Sequence, residues 1–99
     1  MKRLAELLEA VESETAQGGR AVSYVGHGWI WLDPGARRRR ERTDGGVARS
    51  ADTMTATARV DARLVEGRIL RFGGGDWNVV GIEEAARSGR SDLMLERRA

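Results

Sequence analysis

The sequence predicts a mainly β protein, a small antiparallel barrel or sandwich of about six strands, with one long polar loop at about residues 33–51. Three observations carry this. Residues 53–60 alternate between polar and apolar side chains, the period of a half-buried strand. Aromatic and β-branched residues gather in short runs, and glycine-rich turns separate those runs at close intervals.

The opening stretch, MKRLAELLEAVESE, reads two ways. Leu4, Leu7, Leu8 and Val11 have helical spacing among good helix formers, so local propensity favours an amphipathic helix. The alternative is a strand with Leu8 and Ala10 on one face. The paired glycines of TAQGGR then mark a turn. AVSYVGHGWIWLDP reads as a strand, with Val22, Tyr24, Ile30 and Leu32 on one parity and Val25, Trp29 and Trp31 on the other. Gly26 and Gly28 predict a bulge or bend, and Pro34 is expected to end the strand.

Residues 35–51, GARRRRERTDGGVARSA, hold almost nothing apolar and are expected to form a functional or disordered loop. DTMTATARVDA follows with Met54, Ala56, Ala58 and Val60 on one face and Thr53, Thr55, Thr57 and Arg59 on the other. Gly67 marks a turn, and Ile69 to Phe72 a strand. WNVVGIEE and LMLERR are the last two strands, joined by the polar turn AARSGRSD.

A length of 99 residues predicts a single domain, 1–99. About 65% of the unfolded chain's surface should be buried at this size, enough for one small core and little room for a deep cleft. The 17 basic and 15 acidic residues nearly balance, so the basicity is local to one loop. Lys2 is the only lysine; the remaining basic residues are arginines, suited to bidentate contact with carboxylates and phosphates. With no cysteine there is no disulfide, thiolate metal site or thiol nucleophile. No apolar run approaches the ~20 residues of a membrane-spanning helix, and no signal-peptide pattern occurs. The expected location is the cytoplasm or a particle assembled there, without membrane contact.

Little in the chain points to catalysis. Gly73–Asp76 lacks the Lys and Ser/Thr that open a phosphate-binding helix, so it reads as a hairpin turn. His27, the single histidine, has no thiol or second imidazole with which to bind zinc. Ser23 and Ser50 lack the surroundings of a nucleophile elbow. Glu83 and Glu84 are adjacent on a strand and should diverge. No metal or cofactor is expected.

Two groups remain as candidate sites. Arg37, Arg38, Arg39, Arg40, Glu41 and Arg42 read as a docking loop for a protein partner or, alternatively, as a nucleic-acid arm or a solvated loop with no specific contact. Trp29, Trp31, Phe72 and Trp77 are expected in the core or at a subunit interface, with base stacking the lesser reading.

The order of motifs resembles the phage head–tail joining family, the head-closure or stopper proteins of long-tailed phages and gene transfer agents. The strand GGRAVSYVGHGWIWLDP ends in Trp shortly before Pro, with Trp29 or Trp31 as the family tryptophan. The Arg-Glu element RRRRERTDGG follows, then the Thr-rich TMTATARVDARL, then GRILRFGG, WNVVGI and the closing RSDLMLERR. The resemblance covers nearly the whole chain from about Leu7 and favours a strand over residues 5–14. It implies a non-catalytic subunit of a ring, usually a hexamer, below the portal and its helical adaptor. That ring closes the channel after packaging and docks the tail terminator or tail tube. The Arg loop would then be an assembly contact facing acidic protein surface or packaged double-stranded DNA. The alternative function is a small basic β-barrel that binds nucleic acid through Arg37–Arg42.

Overall fold

The computed structural model describes the backbone of residues 1–44, 47–84 and 89–98, and the side chains of these apart from 40–44 and 47–51. Six strands are present: β1 (Arg3–Glu14), β2 (Arg20–Asp44), β3 (Val47–Arg59), β4 (Ile69–Phe72), β5 (Gly75–Glu84) and β6 (Arg90–Arg97). Every pairing is antiparallel. The sheet closes on itself in the order β1-β2-β3-β6-β5-β4. No helix occurs among the described residues. The polar turn expected before β6 falls largely on residues 85–88, outside the described residues.

The strand reading of residues 5–14 holds, and the packing explains the helical spacing. Ala5 and Leu7 are fully buried in the barrel interior. Leu8, next to Leu7, takes the other face by alternation, pairs with Ile69 and is still only 5% exposed. A strand buried on both faces at one point gives adjacent apolar residues, which the eye reads as a helix stripe.

The long polar loop is corrected. Residues 33–44 and 47–51 are strand: β2 continues unbroken through Pro34, and its partner β3 matches it from Leu32↔Ala58 out to Asp44↔Val47. Pro34 does not end the strand. It is tolerated because β2 has already lost β1 as a neighbour at Leu32, and a bulge follows at once. There Gly35 and Ala36 stand against the single residue Thr55. A Cβ at Gly35 would lie 2.6 Å from Thr55 Oγ1, so the glycine permits the close approach. Beyond Thr53, where β6 stops pairing with β3, the hairpin runs on as a two-stranded ribbon. Cross-strand pairs such as Arg39 opposite Asp52 hold a two-stranded ribbon of polar residues in register.

The bulge expected near Gly26 and Gly28 is present. His27 and Gly28 stand opposite Leu7 alone, and Gly28 has φ 93°, a conformation natural to glycine. Gly73 and Gly74, with φ 59° and 78°, join β4 to β5 as a two-residue hairpin turn of type I′.

The core is the barrel interior: Leu7, Ile30, Leu32, Leu70, Val79, Leu93 and Leu95, with Ala56 and Ala58 as the small residues opposite them. β3 alternates as expected. The ring order separates β3 from β4 by three strand steps, so their connection must cross one mouth of the barrel. Leu64, in that connection, is 6% exposed and belongs to the core cluster, plugging the mouth.

Candidate assembly surface

The second mouth is capped by residues that the sequence singled out separately. Trp77, on β5, is 3% exposed, and Phe72 stacks on it with ring centroids 6.3 Å apart. The Arg37 guanidinium lies 5.4 Å from the Trp77 ring centroid and donates to Asp52 Oδ2 at 2.8 Å. Arg39 Nε stands 3.4 Å from the other oxygen of Asp52. The hydrogen bond from Arg37, with the charges of Arg37 and Arg39 behind it, holds the Asp52 carboxyl below its usual range. Arg37 and Arg39 therefore share the face that continues the barrel interior.

Arg38 points the other way. It is exposed and, among the described residues, makes no ion pair. The run is thus divided by the pleat into a structural pair and an outward face. The side chains of Arg40, Glu41 and Arg42 lie outside the described residues.

Trp29 and Trp31 are not core residues. They are 56% and 60% exposed on the outside of β2, beside Glu6 and Leu4 of β1. The bulge explains the pattern: it resets the parity of β2, so that Ile30 and Leu32 point in and the tryptophans point out. Exposed indoles adjoining Leu4, which is itself 44% exposed, form an apolar patch of the kind that marks interaction sites.

Arg63, in the crossover connection, fastens this region. It donates from Nη1 to the carbonyl of His27 at 2.9 Å and from Nη2 to Asp61 Oδ2 at 2.8 Å. Side-chain and backbone hydrogen bonds from Arg63 hold Asp61 below its usual range. His27 Nε2 lies 3.0 Å from Glu9 Oε1, which is the structural role expected of it. Ser23 Oγ donates to the Val11 carbonyl at 3.5 Å. Among the described residues no His, Cys, Asp and Glu group is disposed to hold a metal ion.

Sequence reasoning missed Asp52 and Arg63, and a groove of about 550 Å³ on the outer face of β3, β6 and β5. Its floor includes Gly81, Ile82 and Met94. The Asp44–Gly45–Gly46 tripeptide was the available signal for the ribbon, since such residues favour hairpins. Arg63 and the groove have no local signal, because the residues that define them meet only across the sheet.

No family model matches the chain, and no curated protein matches it. Among solved structures, it is similar to a chain in the virion of a native gene transfer agent particle. The identity is 21% over 98% of this chain and 94% of that chain, with a TM-score of 0.73. At that identity the likeness is one of fold.

Proposed function

We propose that this protein is a structural virion component, a stopper subunit of the head–tail connector in a tailed phage or gene transfer agent. The observation that carries this reading is the near full-length likeness of fold to a chain of a gene transfer agent virion. Motif order supports it, as does a surface of exposed tryptophans on a barrel with a protruding basic ribbon. The whole chain acts as one domain and carries no catalysis and no cofactor. Copies form a ring, a hexamer by the family resemblance. The ring sits below the portal and adaptor and meets the tail terminator or tube. The Arg37–Arg42 run, with Arg38 its outward-facing member among the described side chains, is the contact toward acidic protein or packaged double-stranded DNA.

Deleting the gene in its host and imaging the released particles tests this. Tailless heads, free tails and leaked DNA are expected; normal tailed particles would overturn it. Removing residues 37–42 is a poor substitute, because Arg37 caps Trp77 and its loss disturbs the barrel. Arg38→Ala with Arg40→Ala and Arg42→Ala leaves that cap in place and should still block tail attachment. A nucleic-acid role is the weaker reading: Arg37 and Arg39 are engaged by Asp52, and Trp77 is buried away from any base.

A further inference from the structure

Two surfaces on this chain are complementary to each other, and the indole at the centre of the first does not line the second. The first centres on Trp31. It is 60% exposed and edges a hollow whose charged members are Lys2, Arg59, Arg90 and Asp33, three bases against one acid. The second is the groove on β3, β6 and β5. Glu66, Glu83, Asp92 and the Arg90-paired Asp33 wall it, and among the described residues no Lys or Arg lines it. Met94, 47% exposed, leaves its floor apolar. At about 550 Å³ the groove falls in the range of roughly 300–1,000 Å³ that accepts a group larger than one indole.

Trp31 does not fill the groove of its own chain. Asp33 borders both surfaces and is held by Arg90 Nη2 at 3.0 Å, and Arg90 also reaches Thr57 Oγ1 at 3.1 Å. That bridge stands as a wall between the indole and the groove. The groove's near edge, Asp33 and Gly35, lies on the tryptophan strand β2, and its central strand β6 is two steps further round the six-strand ring. A protruding, base-flanked indole on one face and an acid-walled, apolar-floored groove on another make a heterologous pair. Such a pair joins copies head to tail, which is how rings are built.

We propose that Trp31 of one copy seats in the β3–β6–β5 groove of a second copy, with Lys2 and Arg59 of the first meeting Glu83 and Asp92 of the second. The occupant is this chain itself, named by the charge match. The contact rests on the ring reading above and gives it an interface. It also leaves the arginine ribbon free for a different partner.

Mixing two damaged chains tests the contact. Trp31→Ser destroys the knob and keeps the groove, with Arg59→Glu as a second knob variant. Asp92→Lys with Glu83→Lys destroys the groove and keeps the knob. All four substituted side chains are exposed, so circular dichroism should match the parent chain. Sedimentation up to ~1 mM, where even a weak contact is half formed, reads the result. The parent chain should self-associate, and each variant should do so at least tenfold more weakly, roughly the effect of losing a central aromatic. A one-to-one mixture should give a dimer and nothing larger, since only one good knob and one good groove remain. A monomeric parent chain, a variant that assembles like the parent, or a mixture that stays monomeric would each overturn the contact. Particle imaging decides separately: tailless heads on gene deletion beside a monomeric chain would retain the stopper role and remove only this interface.

Discussion

Arg37 lies with its guanidinium 5.4 Å from the centroid of the Trp77 ring, joining the most basic stretch of the sequence to the largest aromatic of the core. The same group donates to Asp52 at 2.8 Å, so one side chain closes the mouth of the barrel and anchors the base of the ribbon. Arg37→Ala should destabilise the fold by about 1–2 kcal/mol, from a cation–π contact and a charge-assisted hydrogen bond that are both partly solvated. Arg37→Lys should recover only part, lacking the planar fork. Arg38→Ala should change stability by no more than about 0.5 kcal/mol. Urea denaturation of the three variants measures this, and equal losses at positions 37 and 38 would contradict the assignment of faces.

Gly28 provides a second test. Its φ of 93° and a Cβ that would lie 2.6 Å from Arg63 Nη1 make two separable penalties. Gly28→Ala should destabilise by about 1–3 kcal/mol, lowering the melting temperature by several degrees or more. Adding Arg63→Ala removes the clash and leaves the backbone strain. A double-mutant cycle should therefore show coupling between the two sites. Strict additivity would mean that Arg63 does not clamp the bulge.

The interior predicts its own hierarchy. Leu95 is fully buried, whereas Leu4 is 44% exposed. Leu95→Ala should lose about 2–5 kcal/mol. For a domain this small each kcal/mol is worth roughly 4–8 °C in melting temperature. Leu4→Ala should barely move the melting curve, while weakening any partner that covers the tryptophan patch. Calorimetry separates the two.

Acid stability follows from three aspartates. Arg37 holds Asp52 below its usual 3.8, Arg63 does so for Asp61, and Arg71 does so for Asp76. A carboxyl whose folded value is depressed contributes stability that is complete above its unfolded value and is lost as pH falls through the folded one. The denaturation midpoint should therefore be insensitive to these groups above about pH 5 and fall steadily below about pH 4. Asp52→Asn should flatten the acid limb. Because these carboxyls are only partly buried and their arginine partners reach solvent, the slope should shrink in high salt. A midpoint that rises on acidification would reverse the sign and refute the pairing.

Much of the fold was legible because a half-buried strand writes its period directly into the chain. The alternation from Thr53 to Arg59 and the Gly73–Gly74 turn needed no tertiary information. β1 was ambiguous for a physical reason: Leu7 packs inward and Leu8 packs outward against Ile69, which breaks the simple period. The ribbon was misread because its stability comes from register. Arg39 faces Asp52 only once β2 and β3 are aligned, and charged residues by themselves resemble a loop. Of the candidate site, the arginines and tryptophans were found. Their orientations were not, since the bulges at Gly28 and Gly35 reset which face each residue occupies.

One strand, β2, runs from Arg20 to Asp44, held by β1 along its first half and by β3 along its second. Inter-strand hydrogen bonds lie across the strand direction. A pull on the ribbon therefore travels along a continuous backbone and is shared by rows of bonds loaded sideways together, instead of being opened one after another. β2 acts as a tie-rod through the barrel, and tension applied at one end of the molecule is delivered to the other.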